Sequence, residues 1–193
     1  MFMEKSGVLR ISIGILAFLF AACESIYIPD PIDPRLPKYT DRGNDVGGAL
    51  VNGRLWRSVV VHDWFYGSSN MPILYYNADR DSLGIVFKGK MEGDEYVEIS
   101  FGLSEVGGID RLASMEKLTG KKFPLGTAEN MAVISSCPTP AARGQLYLRS
   151  IRFESEQQSL ILSGTFGFTI LDPVCGDKEI TYGRFDYEIF ELN

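Results

Sequence analysis

The stretch EITYGRFDYEIFEL at residues 179–192 decides the fold class of this chain. Along its second half the large apolar residues Phe185, Tyr187 and Ile189 alternate with Asp186 and other, mostly polar, residues. A period of two places alternate side chains on opposite faces of an extended strand. The stretch therefore predicts a β-strand with one buried face and one mostly solvated face.

Similar short apolar stretches, separated by turn residues, recur along the chain. They lie at residues 49–56, 57–66, 72–78, 82–89, 95–103, 132–136, 145–155 and 159–170. The pair Asn52-Gly53 suits a two-residue hairpin turn, because both central positions of that turn need positive φ. Together with the stretch at 179–192 this makes roughly nine strands. The sequence therefore predicts an all-β fold, either an antiparallel β-sandwich or a lipocalin-like barrel.

One segment, GIDRLASMEKLTG, departs from this alternation. It carries Leu112, Met115 and Leu118 at helical spacing, and Gly120 follows as a stop signal. We therefore predict one short helix near residues 109–118. Its apolar side chains are interpreted as core packing.

The N-terminus has the pattern of an export signal. Residues 1–10 hold Lys5 and Arg10, and the run ISIGILAFLFAAC at 11–23 carries no charge. A helix needs about 20 apolar residues to cross the hydrocarbon core, so this run is too short for a permanent span. A core helix is the alternative, but the run is apolar on all faces. We therefore expect a signal peptide at residues 1–22 that is removed on export.

The end of that run resembles the bacterial lipobox. Phe20-Ala21-Ala22-Cys23 places two small residues before a cysteine, although Phe20 stands where that family has an aliphatic residue. In lipobox proteins a diacylglycerol is attached to the thiol, the chain is cut before the cysteine, and the new amine is acylated, as with palmitate. Several acyl chains anchor a protein stably, because each buried methylene contributes about 0.8 kcal/mol. The resemblance implies lipidation at Cys23 and a cell-envelope location, anchored to the outer membrane and facing the periplasm or the surface.

A proline-rich tract follows the cysteine. Residues 24–37 contain four prolines. Proline fixes φ and favours an extended chain that rises about 3 Å per residue. We therefore predict a tether at residues 23–45, followed by a single β-rich domain at 46–193. The alternative is a first strand packed on the body, for which SIYI at 25–28 is suited.

The charge of the chain limits its partners. The formal net charge is −6, and removal of the signal peptide makes the chain one charge more acidic. Nucleic-acid phosphates and anionic lipid surfaces are bound by basic patches. We therefore expect no nucleic-acid partner and membrane attachment through the N-terminal lipid, with a protein or glycan partner of unknown identity.

Two cysteines remain once Cys23 is assigned to lipid. Cys137 and Cys175 are an even number in an oxidising compartment. They lie in loops that flank the predicted hairpin of residues 145–155 and 159–170. The open end of that hairpin would bring both loops together, so we predict a Cys137–Cys175 disulfide; two free thiols are the alternative.

The sequence shows little sign of catalysis. His62 is the single histidine and stands beside Asp63, whereas a zinc site needs several nitrogen or sulfur ligands. The G-x-S-x-G nucleophile elbow and the phosphate-binding G-x-x-x-x-G-K-[ST] loop are both absent from the sequence. We therefore predict a protein that is not an enzyme, with no catalytic residue, cofactor or metal ligand.

Two acidic segments nevertheless deserve comparison with known sites. Asn77, Asp79 and Asp81 alternate as at the start of a calcium loop, but the glycine and the last glutamate of an EF-hand are missing. A turn with solvated acids is the expected structure. The acids at residues 92–95 also suit a hairpin turn, although spacing alone leaves open an acid pair for glycoside hydrolysis.

Aromatic residues give the only indication of a ligand. Trp64 and Tyr66, and then Tyr75 and Tyr76, flank the loop GSSNMP at residues 67–72. Adjacent aromatic residues on a strand point to opposite faces, so some of them must leave the core. An exposed ring would be able to stack on a sugar or a lipid. Packing in the core or at its rim is the alternative for the same residues.

The layout of the body resembles the small β-rich lipoproteins of Bacteroidota. The likeness rests on VNGRLW at 51–56, KKFPLG at 121–126 and SGTFGFTI at 163–170 followed by the last strand. It implies a sandwich or lipocalin-like barrel, export to the envelope and no established activity. We therefore expect a lipid-anchored envelope protein that is a non-catalytic binding or scaffolding module. The alternative is a lipocalin-like carrier of a small apolar ligand or a glycan.

Overall fold

The structure is a computed structural model that describes residues 33–63, 67–69 and 71–192. For residues 61–63 and 67–69 only the backbone is described. A compact unit spans Pro34–Asn193. The predicted signal peptide at 1–22 and the predicted lipidation site Cys23 lie outside the described residues.

The described residues form twelve strands and two 3-10 helices, which are defined as follows. The strands are β1 (Val46–Val51), β2 (Arg54–Val59), β3 (Val61–Asp63), β4 (Gly67–Ser69), β5 (Ile73–Asn77), β6 (Ser82–Met91), β7 (Tyr96–Ser104), β8 (Lys121–Leu125), β9 (Asn130–Ile134), β10 (Arg143–Glu154), β11 (Ser159–Ile170) and β12 (Lys178–Ile189). The 3-10 helices are Ala78–Arg80 and Leu112–Leu118. No helix in this part of the chain is long and apolar enough to cross a membrane.

Nine strands form one continuous antiparallel sheet. Their order is β8-β10-β11-β12-β1-β2-β6-β7-β9. Strand β5 also pairs with β6. It lies on the same edge of β6 as β2, which pairs only with the last two residues of β6. Strands β3 and β4 pair separately.

The two ends of this sheet lie close together because β8 and β9 are consecutive in the chain. In the turn between them the amides of Gly126 and Thr127 donate to the carbonyl of Asn130, at 3.0 and 3.1 Å. The sheet is therefore a nearly closed barrel. This confirms the all-β prediction and decides between its two forms in favour of the barrel.

Local signals in the sequence also have their expected structures. Asn52 and Gly53 have φ of 49° and 76° in the turn between β1 and β2. The helix predicted near 109–118 is the 3-10 helix Leu112–Leu118. Its buried residues are three apart, and three residues make one 3-10 turn, so all of them face the barrel.

The interior of the barrel is filled by aromatic rings. Phe87 from β6 lies 4.8 Å from Phe185 and 5.3 Å from Tyr187, measured between ring centroids. Phe101 from β7 lies 5.3 Å from Phe166. These rings come from opposite sides of the sheet and meet in the middle, at distances typical of favourable aromatic pairs. The alternating residues of β7 and β12 supply this core, as the period of two predicts.

Residues 34–45, which we call the strap, pack across the outer face of the barrel. Leu36 is buried, and a Cβ placed on Gly48 would lie only 2.4 Å from Cδ of Pro37. Arg184 donates to the carbonyl of Pro37 at 3.2 Å. The strap therefore packs on the body as part of the unit Pro34–Asn193, and the tether stays a prediction for the residues before it.

Asp186 is the residue that holds the strap. Its carboxylate accepts hydrogen bonds from the Thr40 hydroxyl and from the backbone amides of Arg42, Gly43 and Asn44, at 2.5, 3.1, 2.8 and 3.2 Å. Asp186 is only 1% exposed. The outer face of β12 is therefore covered at this point, and the expectation of a mostly solvated face is wrong there.

Candidate functional site

An irregularity in β12 shapes the outer face of the barrel around Tyr182. Phe166 of β11 pairs with Gly183, but Phe168 pairs with Ile180, so two residues of β12 stand opposite Gly167. This is a β-bulge, in which the extra residue bends the strand. Because Ile180 and Gly183 face inward, the bulge turns both intervening residues outward.

Tyr182 occupies the bulge in a strained conformation. Its φ is 53°, in the left-handed region that a bulky residue rarely adopts. Such a conformation costs about 1–3 kcal/mol and is found most often at functional sites. The side chain of Tyr182 is 50% exposed. The bulge therefore places a half-exposed aromatic ring on the outer face of β12.

Two open grooves meet at Gly167 and Tyr182, and we refer to them together as the Tyr182 groove. One has a volume of about 450 Å³ and the other about 350 Å³. The groove runs over the outer face of β10, β11 and β12. The polar side chains along it are Arg143, Gln145, Thr165, Thr169, Glu179, Thr181 and Arg184.

The strap closes one end of the Tyr182 groove. Arg184 lines the groove and donates to the carbonyl of Pro37 in the strap. Asp186, two residues further along β12, anchors the strap through four hydrogen bonds. The position of this end of the groove therefore depends on the docked strap.

Of the predicted ligand aromatics, the two that the structure describes, Tyr75 and Tyr76, do not line this groove. Trp64 and Tyr66 fall outside the described residues. Tyr75 is 48% exposed, and its ring covers Gly84, where an added Cβ would lie 2.0 Å from the ring. Tyr76 points to the other face of β5 and is partly buried. The opposite orientations of Tyr75 and Tyr76 agree with strand alternation, but neither residue lines the Tyr182 groove.

Tyr76 takes part in a hydrogen-bonded network around Asp81. The carboxylate of Asp81 accepts from the amides of Gly108 and Gly107, at 2.6 and 2.8 Å, and from the Tyr76 hydroxyl at 2.9 Å. The two amides, with help from Tyr76 and Lys117, lower the pKa of Asp81 below its ordinary value. Desolvation and the Asp81 carboxylate raise the pKa of Tyr76.

This network gives Asp81 a structural role. Asp81 holds the loop before the helix Leu112–Leu118, so it is not a solvated acid as expected. The Asn77 side chain accepts from the amide of Arg80 and caps the short helix Ala78–Arg80. The predicted turn is confirmed, and two of the three residues that resembled a calcium loop are already engaged by their own chain.

The acids at residues 92–95 lie in the turn between β6 and β7. Glu92 pairs with Arg35 at 3.3 Å, and Asp94 pairs with Lys90 at 3.6 Å. All four side chains are largely exposed. This arrangement is a solvated hairpin turn, without two acids facing each other across a cleft.

The disulfide predicted from the sequence is present in the structure. Cys137 and Cys175 are bonded, and their Cα atoms lie 5.6 Å apart. The bond lies at the open end of the β10–β11 hairpin, as expected. Asp172 supports it, because its carboxylate accepts from the amides of Val174 and Cys175 and from the Thr139 hydroxyl. These donors lower the pKa of Asp172, with Thr139 making the largest contribution.

Cys137, Asp172 and Cys175 also form the only group of potential metal ligands in the described part of the chain. Their ligand atoms lie within 4.8 Å of one another. Both sulfurs are used in the disulfide, and the carboxylate already accepts three hydrogen bonds. The group therefore serves to fix the loop 171–177.

We expect loss of this disulfide to destabilise the barrel. Replacing both Cys137 and Cys175 with serine should lower the free energy of unfolding by about 3–4 kcal/mol, because the bond closes a loop with a sequence separation of 38. Urea titration would measure the change. Wild-type protein in reductant should match the double variant. Two alkylated thiols in an unreduced, denatured sample lacking Cys23 would contradict the disulfide.

Sequence reasoning did not identify Tyr182 or Asp186 as site residues. A signal for the bulge was present, since Ile180 and Gly183 are three residues apart and interrupt the period of two. Asp186 had no such signal, because it alternates as an ordinary surface residue would. Only the backbone of His62 is described, so the expectation that this histidine has no catalytic or metal-binding role stays a prediction.

No protein-family model, curated protein or solved structure matches the chain. The resemblance to β-rich Bacteroidota lipoproteins and to the lipobox therefore stays a prediction from the sequence. The function of the protein has to be inferred from the residues of the chain itself.

Proposed function

We propose that the chain is a lipid-anchored protein of the cell envelope whose barrel is a non-catalytic binding or scaffolding module. The observation that carries the binding role is the Tyr182 groove, where a strained backbone presents an exposed aromatic ring beside polar side chains. The anchoring role is supported by the uncharged run at 11–23, with its small residues before Cys23. In this proposal the outer membrane holds the protein through lipid on Cys23.

The filled interior favours ligand binding on the outer face of the barrel over ligand binding inside it, as a carrier would require. Phe87, Phe101 and Phe166 occupy the middle of the barrel, where a lipocalin-like carrier would hold its ligand. Each of these residues is almost completely buried. A small apolar ligand would have to displace them, whereas the Tyr182 groove is already open.

Three buried or partly buried acids of the described chain support a non-catalytic role. Asp81, Asp172 and Asp186 each accept at least three hydrogen bonds from their own chain. An acid that is saturated in this way stabilises local structure and is poorly placed to transfer protons to a substrate. The exposed turn at 92–95 has no facing partner acid.

The strap determines where the chain leaves the barrel toward its proposed anchor. Arg57 of β2 donates to the carbonyl of Arg35 at 2.6 Å, and Arg35 pairs with Glu92 in the β6–β7 turn. The start of the strap is therefore fixed beside this turn. In the proposal, a tether from Cys23 reaches the body at this point, and its length sets the distance to the bilayer.

The lipid anchor can be tested by metabolic labelling. In cells fed an alkyne fatty acid, the wild-type chain should be labelled and the Cys23→Ala variant should lose the label. The unlabelled variant should also keep residues 1–22 and migrate as a larger protein, because lipobox processing follows lipid attachment.

The matched control replaces the other two cysteines. The Cys137→Ser, Cys175→Ser variant keeps Cys23 and should keep its label, which separates lipidation from general thiol acylation. Label that persists on the Cys23→Ala variant would refute the anchor.

A further inference from the structure

We infer that the Tyr182 groove binds a neutral oligosaccharide, with the ring of Tyr182 as the platform on which a sugar ring stacks. This inference rests on the proposed binding function and adds the class of ligand.

The ring of Tyr182 is half exposed. It stands at the junction of the two halves of the groove and contacts no other aromatic ring or cation among the described residues. Glycine would relieve the positive φ of Tyr182, so the backbone conformation at this position does not require an aromatic residue. A half-exposed ring at a groove, with no ring or cation of its own chain stacked on it, is suited to stacking on a ligand.

The polar side chains of the groove suit a ligand rich in hydroxyl groups. Within the described residues, no hydrogen bond or ion pair engages the side chains of Arg143, Gln145, Thr165, Thr169 or Glu179. Together they offer amide, hydroxyl, carboxylate and guanidinium groups that can each donate or accept. An apolar lipid would leave these groups without partners, which opposes its binding.

The charge of the groove favours a neutral ligand. Its unengaged charged groups are the single cation Arg143 and the single anion Glu179, while the other cation, Arg184, is held by the strap. One positive and one negative group give no net attraction for a phosphate or a uronic acid.

The strands beneath the groove exclude a peptide that binds by adding a strand. β11 pairs with β10 and β12, and β12 pairs with β11 and β1, so both edges of each strand are occupied. Addition of a peptide strand needs an exposed edge. The groove therefore offers side chains and one aromatic face, which is the chemistry that binds sugars.

The test uses the full chain, purified in a detergent without a sugar headgroup. Isothermal titration with maltohexaose, cellohexaose, mannohexaose and xylohexaose should detect binding of at least one, and hexagalacturonate should bind more weakly than the best of these. Absence of binding to all four neutral hexasaccharides, or tighter binding of hexagalacturonate, would overturn the inference. Fatty-acid labelling of Cys23 would then still stand, so the two proposals fail separately.

Variants locate the site and separate binding from folding. Tyr182→Ala should weaken binding about tenfold or more, and Tyr182→Phe should keep it, because the ring and not its hydroxyl stacks. Tyr96→Ala, at a tyrosine that is 52% exposed outside the groove, should bind like wild type.

The Tyr182→Gly variant distinguishes a binding role of the ring from a structural role most clearly. Glycine removes the strain at positive φ, so the unfolding temperature should be unchanged or higher while binding is lost. A purely structural tyrosine would instead destabilise the barrel when removed. Wild-type affinity in Tyr182→Gly would refute the role of the ring.

Discussion

Replacing Phe87 with alanine is expected to lower the free energy of unfolding by about 3–5 kcal/mol, the usual loss for a fully buried phenylalanine. Phe87 is completely buried, and its ring contacts Phe185 and Tyr187 across the barrel. Its removal leaves a void that these two rings of β12 cannot fill without leaving their own positions. Urea denaturation, followed by the fluorescence of the buried Trp56, would measure the loss.

The matched control is Phe190→Ala, which removes the same ring from the surface. Phe190 is 49% exposed, so we expect a loss of about 0.5 kcal/mol or less. A loss below about 1 kcal/mol for Phe87→Ala would mean that the interior tolerates empty space. That result would contradict the packed barrel and would favour the carrier alternative.

The fold class follows from the sequence because its main signal is local. Residues 95–103 and 179–192 alternate with a period of two, and the burial of β7 follows that alternation, whereas residues 183–187 of β12 are all buried because the strap covers the outer face there. The turn at Asn52-Gly53 depends only on two residues that accept positive φ. The disulfide follows from the hairpin that brings its two loops together. Each of these inferences needs only neighbours along the chain or one strand pairing.

Closure of the barrel could not be predicted in the same way. A sandwich and a barrel use the same alternating strands, and they differ only in whether the end strands meet. Here β8 and β9 meet through a short turn whose amides converge on the carbonyl of Asn130. That depends on the register of strands far apart in sequence, which alternation does not encode.

The candidate site was missed because it depends on exceptions to the pattern. The sequence favours a dense aromatic group as ligand candidates, namely Trp64, Tyr66, Tyr75 and Tyr76. Tyr182, in contrast, stands in a long strand without another tyrosine or tryptophan close beside it. Its importance comes from a bulge that is defined by the pairing of β12 with two neighbours. Dense aromatic sequence is therefore a weaker guide to this surface than a break in alternation.

Replacing Asp186 with alanine is expected to release the strap and to lower the free energy of unfolding by about 4 kcal/mol. Four donors lose a charged acceptor, and each such bond contributes about 1.5–3 kcal/mol, part of which water restores once the strap is free. Asp186→Asn keeps one acceptor oxygen and should lose about half as much. Urea denaturation would rank the two variants, and Glu191→Gln, an exposed acid nearby in sequence, should unfold like wild type.

Limited proteolysis reports the strap itself. Lys38 and Arg42 are trypsin sites that a docked strap protects, because cleavage needs an extended and mobile segment. Both should be cut rapidly in Asp186→Ala and slowly in wild type and in Glu191→Gln. The released strap also frees Arg184 from the carbonyl of Pro37, so the end of the Tyr182 groove should lose its shape. Equal cleavage of wild type and Asp186→Ala would show that other contacts dock the strap, and Asp186 would then be a buried acid without this role.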